Sequence, residues 1–248
     1  NVSSSWERVL FIHPFGIGDA LFITPVIRTL KESGVQQIDL LLGSRTREIF
    51  ETNPRINQVF EWDKSLVTDF SMKWDRLKKI AMLLWKLRQN RYQVCIDFSP
   101  RAQYAFFAWA IFWIPIRIGF NFKGRGFFLT HKEELSQGFA KKPVLEYYCD
   151  LLRFLNIQVT SKCTELFLTD EDRKNCGVIL GKLMLSADRP YLVVVPGGGE
   201  SWGRDARLKR WPVAHFGKLI HSLYQNDHSI FEKVLILGGC EEHSLGAE

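Results

Sequence analysis

Short apolar runs alternate with amphipathic stretches along almost the whole chain, and this alternation restricts it to an α/β fold. Residues 9–13, 38–42, 59–62 and 94–98 have the β-branched and aromatic character of strands. Residues 20–31, 45–51 and 74–88 lie between them with apolar side chains at helical spacing. The run 104–116 reads as a buried helix leading into another strand, and 143–155 as a helix that closes the first half. Parallel strands with helical crossovers are the economical assembly of such a series. The polar stretch 156–165 then begins a connection to a second α/β unit. That unit has a helix over 171–184, strands over 191–195 and 234–237, and a helix after Pro212 with Val213, Phe216, Leu219, Ile220 and Leu223 on one face. Two domains are expected, residues 1–165 and 166–248. At 248 residues and 46% hydrophobic, the chain can bury a core in each.

The segment YLVVVPGGGESWGRDARLKRW (191–211) joins a strand pattern to a glycine turn and four cations. Its apolar residues 192–195 suggest an interior parallel strand. Gly197, Gly198 and Gly199 let a ligand approach the backbone, and Arg204, Arg207, Lys209 and Arg210 supply positive charge. This is chemistry for a diphosphate. Pro212 suits the first helical position, so strand, phosphate-sized loop and helix follow in order. The plainer alternative is a glycine-rich surface turn flanked by solvated cations.

A second cluster, HPFGIGD (13–19), also stands after a strand and before a helix. Gly16 and Gly18 permit a tight turn, and Asp19 falls where a helix N-cap is expected. Capping is the simpler reading of Asp19. The functional reading places the same carboxylate at the carboxyl edge of a parallel sheet, where it accepts a proton from a substrate hydroxyl. Leu21 occupies the place of the third glycine of GxGxxG, so a nicotinamide dehydrogenase gains little support.

The 33 Lys and Arg exceed the 27 Asp and Glu by six, which favours anionic partners such as nucleotides, phosphorylated glycans or acidic lipids. Nucleic acid ranks lower, because the cations near Arg204 accompany a glycine turn and not an RRM, KH or helix-turn-helix signature. Cys95, Cys149, Cys163, Cys176 and Cys240 are scattered and odd in number, which indicates reduced thiols and neither a disulfide framework nor a zinc site. The histidines lack metal or triad spacing. Polar residues 1–5 lead directly into a strand with no signal peptide, so a cytoplasmic location is expected. The run 104–116 falls short of the roughly 20 residues that span a bilayer. Trp109, Phe112 and Trp113 lie near Arg117, Lys123 and Arg125, a set suited to an anionic membrane surface, although core packing is the simpler account of the aromatics.

GIGDALFITPVIRTLK (16–31), DFSPRAQYAFFAWAIFWIPIRIGF (97–120), PGGG with KRWPVAHFGKLI (196–220) and LILGGCEE (235–242) together resemble the successive motifs of the bacterial heptosyltransferases, glycosyltransferase family 9. The resemblance runs through nearly all of the chain. It implies a GT-B fold, with two Rossmann-like domains of parallel sheet, the first on the acceptor side and the second binding nucleotide sugar. It implies inverting transfer of a heptose from ADP-heptose to an inner-core sugar of lipopolysaccharide, or a related glycan, with no metal or other cofactor. Asp19 matches the family's general base. Lys209 matches the basic residue that holds the donor diphosphate, with Arg210 beside it, and Glu242 the acid that binds the ribose hydroxyls. Gly198, Gly199 and Ser201 are further donor contacts. His13, Gly18, Arg117 and Lys123 are assigned to the acceptor side. Peripheral contact with the cytoplasmic face of the inner membrane is expected, and no nucleic-acid partner.

The chain departs from the family pattern at its end. About three further strand and helix units and the family's D-[S/T]-G and His element are expected after the second strand of the second domain. The sheet there is expected to be incomplete, with an exposed edge and apolar surface that favour association. Two alternatives follow: a noncatalytic module that binds a nucleotide or nucleotide sugar, and a family member that uses another nucleotide sugar. The extended PGGGESWGRDARLKRWP loop keeps the second open.

Overall fold

The computed structural model describes residues 6–62, 74–186, 188–197, 208, 210–227, 230–239 and 242, with 74–76 described by backbone alone. They fall into two compact units, Asn1–Phe167 and Leu168–Glu248.

The first unit is built on six parallel strands: β1 (Arg8–His13), β2 (Gln37–Leu42), β3 (Gln58–Glu61), β4 (Val94–Asp97), β5 (Ile116–Asn121) and β6 (His131–Glu134). Their order is β3-β2-β1-β4-β5-β6, the doubly wound Rossmann arrangement. Side chains alternate across a strand, so β1 feeds two cores. Val9 and Phe11 join Ile38, Leu40, Val94 and Ile96 on one face, and Leu10 and Ile12 join Leu41 and Cys95 on the other. Helices α1 (Ile17–Leu21), α2 (Thr24–Glu32), α3 (Arg47–Glu51) and α6 (Val144–Asp150) cover the first face. Helices α4 (Trp74–Gln89) and α5 (Ala102–Ala110) cover the second.

Residues 20–31 form two helices and not one. Pro25 stands in the first turn of α2, and proline has no N–H to give the carbonyl four residues earlier. The Leu21 carbonyl instead accepts the Thr24 hydroxyl at 2.8 Å, and the chain turns between α1 and α2. Strand β6, with the sequence HKEE, has no apolar pattern to announce it; it is held by its parallel pairing to β5. The stretch 156–165 is fixed to the first unit. Ile157 and Val159 pack on its core, and Glu165 accepts from Arg28 at 2.5 Å and Arg55 at 2.7 Å.

The second unit has α7 (Asp170–Lys182), β7 (Tyr191–Val194), α8 (Val213–Asn226) and β8 (Lys233–Ile236). Thr169 caps α7 in a capping box with Asp172. Pro212 is the N-cap of α8, one position before the expected first turn. Strands β7 and β8 pair in parallel, Tyr191 opposite Lys233. Among the described residues β7 pairs with β8 alone, Val193 and Val195 are about half exposed, and neither α7 nor α8 buries a residue. Val234, Ile236 and Leu237 are exposed as well.

Candidate active site

The direction of chain crossover reverses between β1 and β4, and parallel sheets of this kind bind ligands outside the carboxyl ends of the strands at that point. Two loops leave there, residues 13–19 from β1 and residues 97–101 from β4. Asp19 is exposed in the first turn of α1. The N-cap is Gly16, in extended conformation, and its carbonyl accepts the Ala20 N–H at 3.0 Å. Asp19 therefore does not cap the helix, which corrects the simpler reading. Among the described residues its carboxylate has no hydrogen bond or ion pair. Gly18 is exposed inside α1 without a positive φ, and a Cβ there would meet nothing within 4 Å. The turn does not need a glycine at that position; its absent side chain leaves the backbone beside Asp19 open.

The loop stands on a buried aromatic base. His13 is 0% exposed, with its ring 5.3 Å from Phe15 and 5.8 Å from Tyr148. Burial lowers its pKa to about 3, so the imidazole is neutral. Burial also raises the Tyr148 phenol above its ordinary value, with Asp19 and Asp97 adding to the shift. The phenol oxygen lies 3.4 Å from His13 Nε2. Nδ1 has no partner among the described residues. As a buried side chain, His13 does not touch an acceptor directly; it carries the floor beneath the loop.

Asp97 is the ionisable group that sequence reasoning passed over. It ends β4 beside Ile12 of β1 and is 1% exposed. Burial pushes its pKa up to about 7, against the opposing pull of Ser99. The Ser99 N–H donates to Oδ1 at 2.9 Å, closing a turn that leads to Arg101, the N-cap of α5. An aspartate ending an apolar strand and followed by Phe-Ser-Pro was the available signal.

Of the remaining acceptor-side residues, Lys123 follows β5 at the same sheet edge, exposed, with a φ of 52° and its ammonium 5.1 Å from the Phe122 ring. Arg117 does not join them. It is the second residue of β5, level with Leu10 toward the amino edge of the sheet. Its guanidinium is committed to the carbonyls of Ile114, Pro115 and Phe128. Desolvation lowers its pKa from the ordinary value.

In the second unit the carboxyl edges of β7 and β8 bring Gly197, Gly238, Gly239, Arg210 and Glu242 together. Glu242 Oε2 accepts the Gly239 N–H at 3.1 Å, and the Glu242 N–H donates to the Gly239 carbonyl at 2.9 Å. Oε1 lies 3.9 Å from Arg210 Nη2. The carboxylate fills the space that a Cβ on Gly197 would need. The close approach at Gly197 is thus made by the end of the Glu242 side chain, where the sequence reading expected a ligand. Arg210 Nε is buried with no hydrogen-bond partner among the described residues. Trp211 follows, stacked on His215 at 5.4 Å. Gly198, Gly199, Ser201 and Lys209 lie outside the described residues. Among the described residues there is no group of three His, Cys, Asp or Glu placed to hold a metal ion, and Cys95, Cys149, Cys163 and Cys176 are free thiols.

A doubly wound parallel sheet with a free carboxylate at its switch point, followed by an α/β unit whose glycine turns hold an acid and an arginine, has the α/β character of GT-B proteins. The family model of glycosyltransferase family 9 (heptosyltransferase) matches residues 80–244, and the chain belongs to that family. It is 35% identical over 85 residues to lipopolysaccharide heptosyltransferase 3 of Escherichia coli (strain K12), a match covering 34% of this chain and 24% of that protein. A glycosyltransferase family 9 structure from Veillonella parvula superposes with a TM-score of 0.73 at 18% identity, covering 98% of this chain and 66% of that one. The Escherichia coli ADP-heptose lipopolysaccharide heptosyltransferase II does so with a TM-score of 0.67 at 20% identity, covering 97% and 67%. The structural likenesses show the shared fold. The chain covers less than two thirds of the length of the curated relative and of the Veillonella protein.

Proposed function

We propose that the full-length protein is an inverting glycosyltransferase that moves a heptose from ADP-heptose to an inner-core sugar of lipopolysaccharide or a related glycan. The observation that carries this reading is the Asp19 carboxylate, exposed and unpaired among the described residues, at the switch point of a chain in glycosyltransferase family 9. A general base needs a carboxylate that no structural partner has taken. Asp19 accepts the proton of the acceptor hydroxyl as its oxygen attacks the anomeric carbon. The bond from that carbon to the diphosphate breaks on the opposite face, and ADP leaves. Open backbone at Gly18 and the Lys123 ammonium serve the acceptor side.

On the donor side, Glu242 takes the ribose hydroxyls, and Arg210 with Lys209 stabilises the departing diphosphate. Gly198, Gly199 and Ser201 complete that contact. The transfer is read as independent of a metal, since side-chain cations meet the leaving charge. The protein works inside the cell, at the membrane that carries the acceptor, without nucleic acid.

The test is release of ADP from ADP-heptose by the full-length protein with heptose-deficient lipopolysaccharide, in EDTA, with UDP- and GDP-sugars as comparators. Asp19→Asn is expected to lower kcat at least about 100-fold while leaving nucleotide binding in place. Turnover of a different nucleotide sugar would replace the donor. ADP binding without turnover of any donor would instead make the protein a noncatalytic nucleotide-binding module.

A further inference from the structure

The outer flank of the first unit, formed by α5 and the segment 122–130, carries aromatic side chains that the core does not use. Phe106 is 38% exposed, Trp109 50% and Phe127 82%. They form one assembly with Phe128, which lies 5.2 Å from Phe106 and 5.3 Å from Phe127 and stacks on Trp109 at 5.4 Å with 22° between planes. A ledge of mutually packed rings has little rotamer freedom left to lose on binding. The aromatics of this region divide between two tasks: Phe112 and Tyr104 are buried, whereas Trp109 and Phe127 face outward.

Cations predominate in the sequence of the ledge, and the Glu134 carboxylate accepts from Asn121 at 2.9 Å at the start of its loop. Residues 98–132 contain Arg101, Arg117, Lys123, Arg125 and Lys132 and no Asp or Glu, although the chain as a whole has 27 acidic residues. Arg117 is consumed by backbone carbonyls, but Arg101, Lys123 and Arg125 are exposed and form no ion pair among the described residues. Arg101 and Lys123 follow the carboxyl ends of β4 and β5, the edge from which Asp19 projects.

We infer that this ledge docks the protein on an anionic lipid surface, with Phe106, Trp109 and Phe127 entering the headgroup boundary and Arg101, Lys123 and Arg125 meeting the phosphates. Exposed rings beside unpaired cations match such a surface in both polarity and charge. A protein partner would meet the same rings without requiring 35 consecutive residues free of negative charge. The inference rests on the proposed lipid-borne acceptor for its purpose.

The test is cosedimentation of the full-length protein with vesicles of phosphatidylglycerol and phosphatidylethanolamine, beside vesicles of phosphatidylcholine alone. The protein is expected to bind the anionic vesicles and to be released by salt. Phe127→Glu is expected to weaken binding at least about tenfold, and the pair Lys123→Glu with Arg125→Glu to abolish its preference for anionic lipid. Phe127 is so exposed that its replacement leaves the core intact, which circular dichroism checks. Asp19→Asn is expected to bind vesicles normally, and Phe127→Glu to act normally on a delipidated, water-soluble acceptor. Those two results separate failure of docking from failure of the proposed transfer. No binding to anionic vesicles, equal binding by Phe127→Glu, or loss of a dimer in Phe127→Glu in place of lipid binding would each overturn the inference.

Discussion

Replacing Asp97 with asparagine tests the electrostatics at the switch point directly. Its carboxyl is 1% exposed, and burial raises its pKa from 3.8 to about 7. An acid whose folded pKa is raised binds its proton more tightly in the folded state. Its contribution to stability is therefore complete below about pH 3.8 and is lost as pH rises through about 7. A difference near three units at about 1.36 kcal/mol each amounts to roughly 4 kcal/mol lost by the unmodified protein across that window, about 3 of it between pH 5 and pH 8. Asparagine keeps an acceptor for the Ser99 N–H and cannot ionise. Its extra N–H donors impose a cost of about 1–3 kcal/mol if left unpaired, but that cost does not vary with pH. The assay is urea unfolding of both proteins at several pH values from 5 to 8, followed by tryptophan fluorescence. The stability of Asp97→Asn relative to the parent is expected to rise with pH by about 3 kcal/mol. His13 has a lowered pKa and loses its contribution in the opposite direction, as pH falls below about 6.5 toward 3. It is present in both proteins and cancels. A difference flat to within 1 kcal/mol over that range would refute the claim that Asp97 is held near neutrality by burial.

Three further outcomes are expected. Asp19→Asn should unfold at the same urea concentration as the parent, because its carboxylate holds no partner among the described residues, while losing the proposed transfer. Gly197→Ala should change stability by less than about 1 kcal/mol, since the obstructing atoms belong to the flexible end of Glu242. By displacing that carboxylate it should weaken ADP binding about tenfold in calorimetry, and unchanged affinity would remove Glu242 from the donor site. Glu165→Ala should destabilise the first unit by about 1–3 kcal/mol, because it strands Arg28 and Arg55 together. Protease cleavage within 156–167 should accelerate in that variant, and an unchanged cleavage rate would show the segment is held by Ile157 and Val159 alone.

Local pattern and long-range packing divide the explanation of this molecule between them. The strands over 8–13, 37–42 and 94–97 were legible because their apolar runs are bounded by turn residues within a few positions. So were the glycine turns at 16–18 and 238–239, and with them Asp19 and Glu242. Pro25 was equally visible, yet the helical periodicity around it hid its effect on the Leu21 carbonyl. β6 was invisible: the charged run HKEE becomes a strand by pairing with β5, a partner more than ten residues away. The aromatics from Tyr104 to Phe128 look alike in sequence, and the sheet divides them, Phe112 inward and Trp109 outward. Arg117 and Asp97 show the same limit in charge. One appeared available and is consumed by carbonyls, and the other appeared ordinary and is raised to about pH 7. The kinds of elements, their succession and the turns between them follow from local sequence, because backbone preference and apolar period act over a few residues. The tertiary structure decided which strand lies beside which and how much water each side chain keeps, because solvation and pairing depend on neighbours that are distant along the chain.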